Sequence, residues 1–269
     1  MTTHSAHDAS QTGGRQRSYK TEAIVLRTMP LGEADRLVTL FSPNLGKFRA
    51  TVRGARRMTS RLGGHVDVLN RVRLGLAHGR TIDVVTNAEA QETFGVLKGD
   101  LERLAPGMYL AELTDALLPE LSPHPATYKL LLNCLRTLGD VPEPAIVLRY
   151  AELRLLEDAG YMPELGQCVS CGADIQPGRH RYAPAVGGVL CDACAVAHGA
   201  VYPLSVDALK VLRFFAQQSL GKAKELHVQA GLAGELEGLL AASLHQVLEH
   251  EVAAGEFMEL VRRLPPRVL

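Results

Sequence analysis

Tryptophan is missing from this chain of 269 residues, and aromatic side chains make up 5% of it. Before residue 90 the rings are Tyr19, Phe41 and Phe48, so a platform for stacking the successive bases of a single strand is poorly supplied. No run approaches the roughly 18 uncharged apolar residues of a membrane-spanning helix. Residues 1–18, MTTHSAHDASQTGGRQRS, lack the apolar segment of a secretory signal and read as a disordered tail. With no export signal, the expected compartment is a reducing cytoplasm, where clustered cysteines favour metal over disulfides. Walker A, nucleophile-elbow, HExxH and carboxylate-pair motifs are also lacking, which argues against a nucleotide-driven machine or a hydrolase.

What is present is unevenly spread. The formal net charge is zero, yet residues 1–82 carry 14 Lys and Arg against 5 Asp and Glu, and the remainder carries 15 against 24. A split between +9 and −9 suggests that one part meets a polyanion and the other does not.

The N-terminal part reads as β. Thr21–Arg27 and Leu37–Phe41 hold short apolar runs, and Ser42-Pro43-Asn44-Leu45-Gly46 signals a turn. Gly46–Arg53 alternates cleanly, with Phe48, Ala50 and Val52 on one side and Lys47, Arg49, Thr51 and Arg53 on the other. Arg71–Leu76 alternates likewise, and a His78-Gly79 turn leads into Ile82–Val85. About five short strands in roughly 70 residues fit a small closed barrel of the OB type.

From Phe94 the period becomes helical. Segments near Thr93–Ala105, Gly107–Leu121, Ala126–Leu138 and Ala145–Ala159 are punctuated by Pro106, Pro123, Pro125, Pro142 and Pro144. Leu148, Ala151, Leu155 and Ala159 trace a core stripe, and Cys134 on its apolar stretch reads as a buried thiol. Ser205 is placed to cap a helix running to Gln218, and a long final helix is expected over 235–254. The resulting expectation is an α+β chain: a tail at 1–18, a DNA-binding OB-fold barrel at 19–90, and a helical domain at 91–269 with an inserted knuckle at 166–200.

Cys168-x₂-Cys171, 19 intervening residues and Cys191-x₂-Cys194 form the most specific motif. Each CxxC turn can present two thiolates to one ion, and two turns complete the tetrahedral four-sulfur shell that zinc suits. A redox dithiol would follow a strand and open a helix in a βαβ unit, and nothing here reads that way. Two disulfides remain the other rival. Four cysteines would close the shell, so such zinc is structural, whereas a catalytic ion keeps an open position. His198 could substitute as a ligand but reads as a surface histidine.

Lys47, Arg49 and Arg53 share one strand face, Arg71 and Arg73 another, and Arg53, Arg56, Arg57 and Arg61 fall within nine residues between the two strands. Between residues 36 and 82 the sole acid is Asp67. These residues are the candidate DNA contacts, in a mode dominated by phosphates, tolerant of sequence and sensitive to salt. A rival reading makes the chain a zinc-ribbon transcription or translation factor that reads nucleic acid through the knuckle. Residues 166–200 hold Arg179 and Arg181 against Asp174 and Asp192, so the local charge speaks against it.

The opening TEAIVLRTMPLGEADRLVTLFSPNLGKFRATVRGARR, the helical body and LLEDAGYMPELGQCVSCG before the cysteines resemble the bacterial RecO recombination-mediator family over about residues 19–255. The resemblance implies an OB-fold domain, a helical domain and no catalytic residues. It implies binding of single- and double-stranded DNA, annealing of complementary strands, and help in loading recombinase onto coated single strands during DNA repair and recombination. RecR and single-strand DNA-binding protein are the implied partners, and the nucleoid in the cytoplasm the implied location. Carried over by position, the DNA contacts are Lys47, Arg49, Arg53, Arg56, Arg57 and Arg61.

Overall fold

The computed structural model describes residues 18–141 and 143–248. All of the expected tail but Ser18 lies outside these residues, as does the end of the expected final helix. Five strands open the chain: β1 Ser18–Leu31, β2 Asp35–Ser42, β3 Gly46–Val52, β4 Arg71–Ala77 and β5 Asp83–Glu92. β1 pairs antiparallel with β2 and β4, β2 with β3, and β4 with β5. A short parallel contact of Ala50 with Asp83 and Thr51 with Val84 joins β3 to β5. The order β1-β2-β3-β5-β4 thus returns to its first strand.

Alternation places the apolar partners inside this circuit. Ala23, Val25, Val38, Leu40, Phe48 and Ala50 form part of one core with residues of β4 and β5. The outer residues Ile24, Leu26 and Phe41 belong instead to the larger core of the helical body, so the strands and helices share buried apolar surface. Gly46 lets them approach: at φ 74° its position is left-handed, and a Cβ there would lie 2.0 Å from the Ser122 carbonyl oxygen.

The helical body comprises α1 Gly95–Gly99, α2 Leu101–Leu117, α3 Pro125–Asp140 and α4 Pro144–Asp158, then α5 Asp192–Ala195, α6 Val206–Gln217, α7 Leu220–Ala223 and α8 Ala230–Leu248. Sequence punctuation misplaces one break. Pro106 lies buried inside α2, and the interruption falls at Asp100, whose backbone is extended and whose side chain accepts the Glu102 N–H at 2.9 Å. A proline so near the helix start forfeits one backbone bond, and the helix continues through it. Ser205 caps α6 as expected, accepting the Ala208 N–H at 3.0 Å. Leu148, Ala151 and Leu155 are buried on α4, and Cys134 is fully buried on α3.

Between α4 and α6 lies a three-stranded sheet in the order β7-β6-β8, made of β6 His180–Ala183, β7 Gly188–Cys191 and β8 Tyr202–Leu204. Ile175, Tyr182, Val189 and Leu190 insert into the helical core, and the Tyr182 hydroxyl lies 2.6 Å from Ser243 Oγ on α8.

Candidate nucleic-acid interface and cysteine cluster

The connection from β3 to β4 is pinned at its base. Gly54 N–H donates to Asp35 Oδ1 at 2.8 Å, and Arg56 N–H donates to the Ala34 carbonyl at 2.9 Å. Ala55 and Val66 are buried in the strand core. Successive tight turns then leave Arg53, Arg56, Arg57 and Arg61 exposed. Among the described residues none of the four has a carboxylate within ion-pair distance; Arg56 donates to the Gly32 carbonyl at 3.0 Å. Among the described residues, therefore, nothing compensates their charge at close range.

The other four sequence candidates sit differently. Lys47 is on the outer face of β3 as alternation requires, but α2 covers it. The residue is 9% exposed, its ammonium lies 3.3 Å from Asp115 Oδ1, and it also donates to the Asp115 carbonyl. Arg49 reaches Glu120 Oε1 at 2.9 Å with both side chains about half exposed. Arg73 pairs loosely with Glu89 at 3.8 Å. Arg71 bridges Glu22 and Glu92, each at 2.7 Å, and Arg136 from α3 also donates to Glu92. The eight candidates do not form one free basic face.

This bridge is electrostatically tight. Burial opposes ionisation of Glu22, but hydrogen bonds from Arg71 and Tyr128 outweigh it and hold the carboxyl below its usual range. Hydrogen bonding from Arg136, and then from Arg71, does the same for Glu92.

The two CxxC turns meet as the spacing requires. Cys168 and Cys171 lie on a turn closed by Gly172 N–H to the Cys168 carbonyl at 2.8 Å, and Cys191 ends β7 with Cys194 following in α5. All four sulfurs lie within 4.8 Å of one another, and Cys171 and Cys191 are 3.9 Å apart. A tetrahedron of thiolates at the usual zinc–sulfur distance has edges of about 3.8 Å, so the donor set and spacing fit a four-sulfur metal centre. None of the four is joined in a disulfide. Burial raises the Cys168 thiol, but N–H donors from Cys191, Cys171 and Ser170 prevail and bring it down to about 6. His198 is not part of the cluster.

One grouping escaped the sequence reading. Tyr19 and His78, ring centroids 5.0 Å apart, both meet Asp83, with the Tyr19 hydroxyl donating at 2.6 Å. The residues come from β1, the β4–β5 turn and β5, and the one local signal was the His78-Gly79 turn.

The chain matches two family models in sequence order: residues 17–94 fit Recombination protein O N terminal, and residues 98–254 fit Recombination protein O C terminal. Relatives named DNA repair protein RecO include one from Roseiflexus sp. (strain RS-1), 39% identical over 250 residues, 93% of this chain and 88% of that one. Another, from Desulforudis audaxviator (strain MP104C), is 38% identical over 243 residues, 90% of this chain and 96% of its own. A third, from Dehalococcoides mccartyi (strain BAV1), is 33% identical over 248 residues, 92% and 98% of the two chains. The chain belongs to the RecO family. No helix among the described residues is long and apolar enough to cross a membrane.

Proposed function

We propose that this protein acts in DNA repair and recombination as a mediator that holds the DNA backbone and assists the pairing of complementary strands, with no covalent step of its own. The observation that carries this reading is the β3–β4 connection, where Arg53, Arg56, Arg57 and Arg61 stand exposed without carboxylate partners among the described residues. Phosphates are common to single and double strands, so such a loop binds both. Arg49 and Arg73, in weak exposed pairs, exchange a carboxylate for a phosphate at little cost; Lys47 and Arg71 serve the fold.

The strand order β1-β2-β3-β5-β4 supports an OB-type barrel for residues 19–90, followed by a helical domain over 91–269. We assign zinc to Cys168, Cys171, Cys191 and Cys194. The knuckle's apolar residues lie in the helical core, so the ion would hold that fold together rather than perform chemistry. RecR and a single-strand DNA-binding protein are the partners that family membership suggests, with the cytoplasmic nucleoid as the place of action.

Annealing follows from electrostatics: two polyanions repel, and cationic side chains on one strand lower the barrier to approach of the other. The test is pairing of fluorescently labelled complementary oligonucleotides without ATP or magnesium, bare and coated with single-strand DNA-binding protein. The reading predicts faster pairing with the protein present. No acceleration on either substrate at modest salt would remove the mediator role and leave a DNA-binding module.

A further inference from the structure

A cleft of about 740 Å³ opens where the start of β1, the β2–β3 turn and the β4–β5 turn meet the segment after α2. Its size falls within the roughly 300–1,000 Å³ of small-molecule sites. On one side stand the Tyr19 and His78 rings, tilted by 34° to each other. Asp83 fixes both: it accepts from the Tyr19 hydroxyl at 2.6 Å and from the Gly79 N–H at 3.2 Å, and one of its oxygens lies 3.3 Å from His78 Nδ1. These bonds use the ring edges, and the His78 side chain remains 52% exposed. The turn closes this tightly because residue 79 is glycine; a Cβ there would lie 1.9 Å from the Ile82 carbonyl oxygen.

The cleft also has exposed apolar lining. Leu121 is 73% exposed and held in the left-handed region at φ 57°, and Ile82 is 37% exposed. Phe48 and Leu45 line the cleft from the barrel core. Two cations border it. Lys20 is exposed, with no carboxylate in ion-pair distance among the described residues, and Arg49 is held by Glu120 in a half-exposed pair that solvent weakens.

We propose that this cleft takes one unpaired nucleotide of a DNA strand, the base against the His78 and Tyr19 rings and the Leu121 side chain, the phosphate between Lys20 and Arg49. The inference rests on the DNA-binding reading above and adds to it a preference for unpaired strands. A flat apolar face with an adjoining anion describes a nucleotide, and a base stacked inside a duplex presents neither face. Arg49 also carries the site onto the outer face of β3, continuous with Arg53 and the arginine loop.

The test titrates the full-length protein with dAMP, and separately with inorganic phosphate, following the His78 ring proton resonances assigned from a His78→Ala variant. A saturable shift with dAMP that phosphate alone does not reproduce is expected, as is weaker dAMP binding by Lys20→Ala. In parallel, His78→Ala should lower affinity for an unstructured oligonucleotide by roughly tenfold, the scale of one stacked base, and leave blunt duplex affinity unchanged. An unmoved His78 signal, an equal response to phosphate alone, or equal losses on single strand and duplex would overturn the assignment. The dAMP titration reads the cleft by itself, so failure of the arginine loop to bind DNA would show up separately.

Discussion

The Lys47 ammonium lies 3.3 Å from the Asp115 carboxylate, and this contact ties β3 to the last turns of α2. The backbone reinforces it, with Leu121 N–H donating to the Lys47 carbonyl at 2.8 Å. A lysine that alternation placed on a DNA-facing surface instead belongs to the junction between strands and helices.

Replacing it tests that placement. Lys47→Met should lower stability by about 1–3 kcal/mol, because Asp115 keeps its partly buried carboxylate without a partner. Affinity for DNA at fixed salt should stay at the parent level. Denaturant unfolding and DNA titration of the same sample check both, and weaker DNA binding at unchanged stability would return Lys47 to the DNA surface.

The Glu22–Arg71–Glu92–Arg136 bridge predicts an acid limit. Both carboxyls ionise more readily folded than unfolded, so their contribution is fully present above the ordinary glutamate range. It is lost as pH falls through that range and below it. Thermal midpoints measured from pH 7 down to about 3 should hold and then drop, and Glu22→Gln with Glu92→Gln should flatten the drop while lowering stability at neutral pH. A double variant with the parent's acid profile would contradict this.

Metal removal should separate the thiols into two classes. Elemental analysis of protein purified under reducing conditions should find one zinc per chain, and Cys168→Ser with Cys191→Ser should abolish it and lower the thermal midpoint by several degrees. After chelation, four of the five cysteines should react with a thiol reagent in native buffer. Cys134, fully buried and pushed up to about 12 by burial, should react only on denaturation. Zinc below half-occupancy, or five equally reactive thiols in the native state, would count against the metal centre.

Short-range periodicity carried much of the fold. The alternation around Phe48, Ala50 and Val52 located the strand core, the Ser205 cap located α6, and the two CxxC turns located the cysteine cluster, because each signal is complete within a few residues. Charge was harder to read. Counting acids near the arginines found Asp67, yet the carboxylates that meet Lys47, Arg49, Arg71 and Arg73 arrive from β1, β5 and the end of α2 and its following segment, at Glu22, Glu89, Glu92, Asp115 and Glu120. Such partners are a product of tertiary pairing and leave no trace in a local window. The strand β8, three residues containing Pro203, likewise has no pattern of its own and exists because β6 offers it an edge.

The arginine loop carries the central claim, and a salt series on one variant tests it most directly. Arg53→Glu, Arg57→Glu and Arg61→Glu combined should weaken single- and double-stranded DNA binding alike, with the thermal midpoint unchanged because all three side chains are exposed. The slope of log affinity against log salt should become shallower by about 0.9 for each duplex phosphate that is no longer neutralised and by about 0.7 for each on a single strand. Parent-like affinity and slope on both substrates would show that this loop does not hold the DNA backbone.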